Sequence, residues 1–371
     1  MRWLLVLLAV CSCDPQHLAC DDCGPGAIVD GRVYESGFFG VSPGGIAVRT
    51  FGDRVQRLGS DLLPAGDASP RLAGELASPA PFAIAVADDG AVTALFANDS
   101  TATNKPAALL VHTDRSLRRV WAFMTSLPGP VRPSVVANSD LVVLLMPGSS
   151  VLAFDATNGA PRWQRQISGT VGIALAGDDA VIAGNFAGTI DLGDAHALST
   201  SGHTAGFLVA IGADGVTRWA TPFSPDAAGA TATLSTIAAG PNGEIAVSGG
   251  WSSSATLLGT QFAAPDPGGL MVAMLDPAGT RVVWSQRVHH HGVESSVTDG
   301  TRVILAGDYL SAVAASASGI DWTMSSDLEQ PMWVSSTSEA GSFGYFALEG
   351  AYAYGDVEGD DTGVAIVKLA P

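Results

Sequence analysis

The chain has 371 residues, of which 47% are hydrophobic, 15% are charged and 44 are glycine. That composition excludes a disordered chain, which combines low hydrophobicity with high charge. The formal net charge is −18, with 36 acidic residues against 18 Lys and Arg and no basic cluster in the sequence, which argues against nucleic acid or anionic lipid as a partner.

The chain opens with one positive charge and a short apolar run, Met1-Arg2-Trp3-Leu4-Leu5-Val6-Leu7-Leu8-Ala9-Val10. A spanning helix needs about 20 apolar residues, so this run fits the core of a secretory signal instead. Val10-Cys11-Ser12-Cys13 follows. It resembles a bacterial lipobox, in which a branched apolar residue and small residues precede the lipidated cysteine. On that resemblance residues 1–12 are a signal peptide and Cys13 carries the lipid. The mature protein then sits on a membrane of the bacterial cell envelope. Cys11 is the alternative lipidated residue, and it would put Val10 where a small residue is expected. Plain secretion after an ordinary signal peptide is the alternative to the anchor.

Residues 13–25 form a linker containing Cys20-Asp21-Asp22-Cys23. There is no second CxxC, so a four-Cys zinc site is excluded. The two aspartates raise the thiol pKa values and oppose redox reactivity. A structural disulfide between Cys20 and Cys23 is the favoured reading for an exported chain. No cysteine follows Cys23, so residues 26–371 depend on their own core.

From there on, short runs rich in Val, Ile, Thr, Phe and Trp are cut by Gly, Asp-Gly and Pro, which marks short strands. One two-strand pattern recurs at 44–58, 108–121, 150–163, 207–219, 270–284 and 310–322, and its first half recurs at 363–371. Trp121, Trp163, Trp219, Trp284 and Trp322 stand at the same place, with Leu58 in the first copy. In the clearest copy Leu208 to Ile211 is a buried strand, Gly212-Ala213-Asp214-Gly215 a tight turn, and Val216 to Phe223 a second strand. Between these copies sits a second strand pair. Its turns are Asp30-Gly31, Asp88-Asp89-Gly90, Asn138-Ser139-Asp140, Asp178-Asp179, Pro241-Asn242-Gly243, Asp299-Gly300 and a site around Gly341. Such turns are what two-residue hairpins with φ > 0 require.

Four strands per unit, repeating every 40–50 residues or roughly so, is the arithmetic of a propeller blade. The expected fold is therefore all-β, a seven-bladed β-propeller with blades of mostly four antiparallel strands. The blades are placed at 26–58, 80–126, 131–168, 169–224, 231–288, 292–326 and 331–371. Each tryptophan then plugs the space between neighbouring sheets. The last unit lacks an outer strand. It is expected to stay three-stranded, because the segment near 27–29 starts the first blade; the alternative is that the segment 16–26 supplies the missing strand. Residues 59–79 read as an ordinary loop.

Asn185-Phe186-Ala187-Gly188-Thr189-Ile190-Asp191-Leu192-Gly193, followed by Thr200-Ser201-Gly202, Phe207-Leu208-Val209-Ala210-Ile211, Asp214-Gly215 and Trp219, resembles the SBBP-type repeat of seven-bladed propellers. Ala153-Phe154-Asp155-Ala156-Thr157-Asn158-Gly159-Ala160-Pro161-Arg162-Trp163 resembles the quinoprotein-type (PQQ) repeat. Both resemblances imply architecture and not an activity.

Chemistry is sought in the inserts. Long ones occur at 97–105, 185–205, 250–268 and 351–362, where the second strand of a blade joins the third. Variable loops on one face of a rigid ring are where such folds bind a protein or glycan ligand. His289-His290-His291 falls on the same face, and imidazole is a transition-metal ligand, although three consecutive residues on extended backbone cannot all face one ion. Asp356, Glu358, Asp360 and Asp361 are candidate Ca²⁺ ligands without EF-hand spacing. A solvated loop is the competing reading for both sets, and no other cofactor is expected. Gly40-Val41-Ser42-Pro43-Gly44 fails as a nucleophile elbow, since Pro43 has no N–H for an oxyanion hole. The resulting expectation is a non-enzymatic binding or scaffold protein, exported and lipid-anchored. The alternative is an exported enzyme on the same scaffold, a polysaccharide lyase or hydrolase or a quinoprotein-like oxidoreductase. That alternative needs convergent carboxylates or histidines at the mouth of the central channel.

Overall fold

The computed structural model describes residues 28–34, 39–42, 46–59, 64–76, 79–98, 107–126, 133–146, 150–264, 269–289, 293, 295–298, 300–306, 309–314, 320–325, 332–338, 341–348, 352–354, 357–359 and 363–369. Every regular element among them is a β-strand. Strand β1 is Ile28–Tyr34. The first sheet holds β2 (Phe39–Val41), β3 (Ala47–Phe51) and β4 (Arg54–Arg57). The second holds β5 (Pro79–Val86), β6 (Val92–Asn98), β7 (Ala107–Thr113) and β8 (Arg119–Ser126). The third holds β9 (Ser134–Ala137), β10 (Leu141–Met146), β11 (Ser150–Asp155) and β12 (Pro161–Gln166).

The fourth group is β13 (Thr170–Ala176), β14 (Asp179–Asp191), β15 (Ala197–Ile211) and β16 (Thr217–Pro225). The fifth is β17 (Thr231–Ala239), β18 (Ile245–Trp251), the small hairpin β19 (Ala255–Leu257) and β20 (Thr260–Phe262), then β21 (Gly269–Leu275) and β22 (Val282–His289). These two groups fuse into one ten-stranded sheet. The sixth sheet holds β23 (Ser295–Thr298), β24 (Arg302–Ala306), β25 (Tyr309–Ala314) and β26 (Ile320–Ser325). The last group is β27 (Met332–Ser338), β28 (Gly341–Leu348), the hairpin β29 (Tyr352–Tyr354) and β30 (Val357–Gly359), and β31 (Gly363–Leu369).

The first strands of the groups touch in a closed cycle among the described residues: β2, β5, β9, β13, β17, β23, β27 and back to β2. A ring of this kind buries both faces of each sheet, and β10 shows the consequence. Its sequence Leu141-Val142-Val143-Leu144-Leu145-Met146 is buried throughout. Val142, Leu144 and Met146 pack with Leu95, Leu110 and Trp121 of the second sheet. Leu141, Val143 and Leu145 pack with Ile182, Phe207 and Val209 of the fourth. A strand buried on both sides reads as an unbroken apolar run.

Trp121, Trp163, Trp219 and Trp284 sit where expected, and the structure supplies the reason for the glycines beside them. A Cβ on Gly159 would overlap the ring of Trp121, one on Gly215 would overlap Trp163, and one on Gly279 would overlap Trp219. Each glycine is in the turn before the outer strand of the next sheet, and each has positive φ. The turns differ in detail from the expectation. In 212–216 the Gly212 N–H donates to the Val216 carbonyl and the Gly215 N–H to the Gly212 carbonyl. Only Gly215 has positive φ, and the ladder slips between Ala210 and Ile211. That is a three-residue loop with a bulge, and the repeated turns at 87–91 and 240–244 make the same two bonds.

The chain ends overturn a prediction. β1 pairs antiparallel with β31, from Ile28↔Leu369 to Tyr34↔Val364. The last sheet thus has four strands, in the order β1-β31-β28-β27, and the first has three. Asp30 and Gly31 are paired positions inside β1, just after a bulge at Val29, and not a turn, so the blade assigned to 26–58 loses its first strand. The edge left open in the first sheet is filled by residues read as a plain loop. Ala65, Ser69 and Leu72 donate backbone bonds to Arg57, Val55 and Asp53, and Leu72, Ala73 and Leu76 are buried in the core between the first two sheets.

Candidate functional site

Two of the inserts predicted to be free loops are parts of the core. The 185–205 insert continues β14 and β15 as a ribbon. Its pairing runs to Ala187↔Thr204 and resumes at Thr189↔Ser199, which bends the ribbon back along the molecule. Ile190 and Leu192 are buried with Ile167 of the preceding sheet. At the tip, Asp194 Oδ2 accepts from Arg165 Nη2 at 2.8 Å and from the Thr217 N–H at 2.8 Å. The 250–268 insert forms β19 and β20. β19 adds onto the outer strand β16 through Phe223↔Leu257, Ser224↔Thr256 and Pro225↔Ala255. Trp251, Leu257 and Phe262 pack on Phe223 in the largest core cluster. Asn185 links the same two sheets, its amide donating to the Leu234 carbonyl at 2.9 Å and accepting the Leu234 N–H at 2.8 Å.

The predicted site residues are not brought together among the described residues. Cys11, Cys13, Cys20, Cys23, His290, His291, Asp356, Asp360 and Asp361 lie outside them. His289 ends β22 opposite Gly269, and Glu358 lies on β30 opposite Ala353. No group of three His, Cys, Asp or Glu among the described residues is arranged to hold a metal ion. Ser42 is buried, and its Oγ accepts the Ile46 N–H at 3.1 Å, so it acts as a turn residue.

The strands nearest the axis have an uncharged composition. Phe39–Val41, Pro79–Val86, Ser134–Ala137, Thr170–Ala176, Thr231–Ala239, Ser295–Thr298 and Met332–Ser338 contain no Asp, Glu, His, Lys, Arg, Cys or Tyr. The acidic residues gather at the tight turns. Asp89, Asp114, Asp155 and Asp214 each accept a backbone N–H two residues on. Much of the acidity is therefore turn chemistry. A hydrogen bond from Arg162 holds the Asp155 carboxyl below its usual range. Burial pushes Asp179 up, Arg218 opposes it, and the neighbouring Asp178 and Asp214 add to the rise.

Among the described residues two titratable side chains are buried, Asp53 and His112. His112 is buried, its Nδ1 is 2.8 Å from Thr93 Oγ1, and its ring stacks on Trp121 at 5.2 Å. Burial holds its pKa below the ordinary value, against the charges of Asp89 and Asp114. The unfolded chain therefore takes up a proton first as pH falls below about 6.5. The His112 contribution to stability is complete above that pH and is expected to decline through the folded-state pKa. The slope should reach at most about 1.4 kcal/mol per pH unit. Urea titrations between pH 7 and 5 should show this slope, and His112→Gln should remove it.

The outer edges of the sheets complete the inventory. An insert reaches back to cover the outer strand of the preceding sheet, as at β12 and β16. The third and sixth sheets have only residues 147–149 and 307–308 at that connection. The strands they would cover, β8 and β22, carry Val120 (48% exposed), Met124 (48%) and Val283 (50%). The short connections were the sequence signal for these edges.

No protein-family model matches the chain, and no curated protein matches it. Solved structures do match. The WD40 repeats of RRP9 align over 94% of this chain and 99% of theirs, at 12% identity and a TM-score of 0.54. The structure of U3-55K aligns over 93% of this chain and 100% of its own, at 12% identity and a TM-score of 0.53. The fold is a β-propeller. BamB from Moraxella catarrhalis aligns over 92% of this chain and 99% of its own, at 11% identity and a TM-score of 0.46, too loose a likeness to carry more. At such identities the likeness reaches the fold of the blades and stops there. The SBBP-type and PQQ-type likenesses stay at the level of individual residues.

Proposed function

We propose that this is an exported, lipid-anchored propeller of seven blades that serves the bacterial cell envelope as a binding or scaffold protein and performs no chemistry of its own. The observation that carries this reading is the uncharged set of innermost strands. An enzyme at the channel mouth needs a positioned acid, base or nucleophile, and those strands offer hydroxyls and small apolar side chains. The lipobox-like Val10-Cys11-Ser12-Cys13 supports export and anchoring through Cys13. A disulfide between Cys20 and Cys23 and Ca²⁺ at Asp356, Glu358, Asp360 and Asp361 belong to the same reading, as does a metal at His289, His290 and His291. The ligand class is a protein or a glycan, held on the exposed surface of the ring.

The test is fractionation and affinity capture of the full chain from native envelope, with and without Ca²⁺ chelation. The expected result is membrane association that Cys13→Ala abolishes, and a protein or glycan retained reproducibly on the wild type. Membrane association that survives Cys13→Ala overturns the anchor. Turnover of a polysaccharide or an alcohol by the purified chain overturns the non-enzymatic reading.

A further inference from the structure

Among the described residues the outer strand of the second blade is an unguarded edge. In β8 one side pairs with β7 from Ala107↔Ser126 to Thr113↔Arg119, and the other side has no strand partner among the described residues. Exposed edges in natural proteins are blunted by charges, prolines or covering segments, because their free N–H and C=O groups template pairing with another chain. The outer strands of the third, fourth and last blades follow the rule. β16 is covered by β19, the last blade is covered by β1, and β12 carries Pro161, Arg162 and Arg165. Residues 120–126 of β8 contain no charge and no proline. Val120, Ala122 and Met124 alternate onto one face, and the first and last of these are 48% exposed.

The surroundings point to the sign of a partner. Residues 39–132 hold nine Lys and Arg and eight Asp and Glu, so the rest of the chain carries a net −19. The sequence alone showed no basic cluster, but folding assembles one. Arg57 Nη2 donates to the carbonyls of Arg115 at 2.6 Å and Gly90 at 2.8 Å, which brings Arg57 beside Arg115, Arg118 and Arg119 at the start of β8. Arg119 is paired with Glu75, while Arg115 and Arg118 are exposed.

We propose that β8 docks an extended, acidic segment of a partner protein, apolar at alternate positions, as a fifth antiparallel strand of the second blade. The mode is the one β19 already uses on β16 within this chain. Backbone bonds would give the affinity, Val120 and Met124 the apolar contacts, and Arg115 and Arg118 the preference for carboxylates. This names a partner class for the binding role proposed above, and it does not depend on the lipid anchor.

The test uses the full chain and a fluorescent synthetic peptide the length of β8 that alternates valine with glutamate. A lysine counterpart is the control. Saturable binding of the glutamate peptide is expected by polarisation, with at least ~10-fold weaker binding of the lysine peptide. Val120→Lys with Met124→Lys, and separately Arg115→Glu with Arg118→Glu, should each weaken binding at least ~10-fold, with melting temperatures unchanged. Val283→Lys on the other uncovered edge should leave binding as in the wild type. Absence of saturable binding overturns the proposal, as does binding that the β8 variants leave intact or that Val283→Lys removes. Self-association in sedimentation that the Val120→Lys, Met124→Lys variant abolishes makes a second copy the occupant and also overturns it. None of these failures touches the Cys13 and envelope-capture results, which test the broader function separately.

Discussion

Gly279→Ala is expected to lower the stability of the protein by about 2–5 kcal/mol, a large effect for one methyl group. Two costs add. Gly279 has φ +63, where a residue with a Cβ is strained by roughly 1–2 kcal/mol. The new Cβ would also overlap the indole of Trp219 on the preceding blade, and overpacking of that kind costs about 1–3 kcal/mol. The two can be separated. In a Trp219→Ala background the overlap is gone, so adding Gly279→Ala should cost only about 1–2 kcal/mol. Urea denaturation of the four proteins in this cycle measures the coupling. Equal costs in both backgrounds would mean that the tryptophan does not press on the turn. The same arrangement at Trp121 with Gly159 and Trp163 with Gly215 makes this contact a recurring joint between blades.

Breaking the seam between the chain ends should be comparably severe. In an antiparallel pair successive N–H groups point to opposite sides, so one of Arg32 and Val33 points its N–H at β31 and the other points away. Both residues are paired in register, with Ile366 and Ala365. Proline at the inward position removes a ladder bond and leaves its carbonyl partner unpaired, and the expected loss is about 1–3 kcal/mol. Proline at the outward position of an edge strand should be tolerated far better. Arg32→Pro and Val33→Pro made in parallel should therefore differ clearly in melting temperature. Equal, mild effects from both prolines would remove β1 from the closure.

These two joints differ in how visible they are from residue order. The tryptophan-to-glycine contact is signalled in the copies at 150–163, 207–219, 270–284 and 310–322, by a turn glycine and by a tryptophan three to five residues after it. The seam is not signalled at all. Asp30-Gly31 resembles the Asp-Gly turns at 89–90 and 299–300, yet it lies inside a strand, because the free edge of β31 offers seven residues of ladder that a local hairpin could not match.

The inserts show the same divide. Ile190, Leu192, Leu257 and Phe262 interrupt long polar stretches, and nothing local distinguishes a loop tip from a wedge between blades. Only the neighbouring blade shows that these side chains have a groove to fill. The consequence for function is direct. Two predicted binding loops serve packing, and among the described residues the outer edges that no insert reaches, β8 and β22, carry the most exposed large apolar side chains.

By itself, the sequence determined the strands, their turns, the fourfold grouping and the tryptophan joints. Those features depend on alternation, on φ > 0 positions and on spacing, all of which act within a few residues or repeat unchanged along the chain. Tertiary structure alone decided that β1 closes the last blade, that residues 64–76 replace a strand of the first, that the inserts fold back onto preceding blades, and that four arginines meet beside β8. Each of these is a pairing between segments far apart in the chain. Its free energy comes from an edge or groove that exists only once the ring has formed.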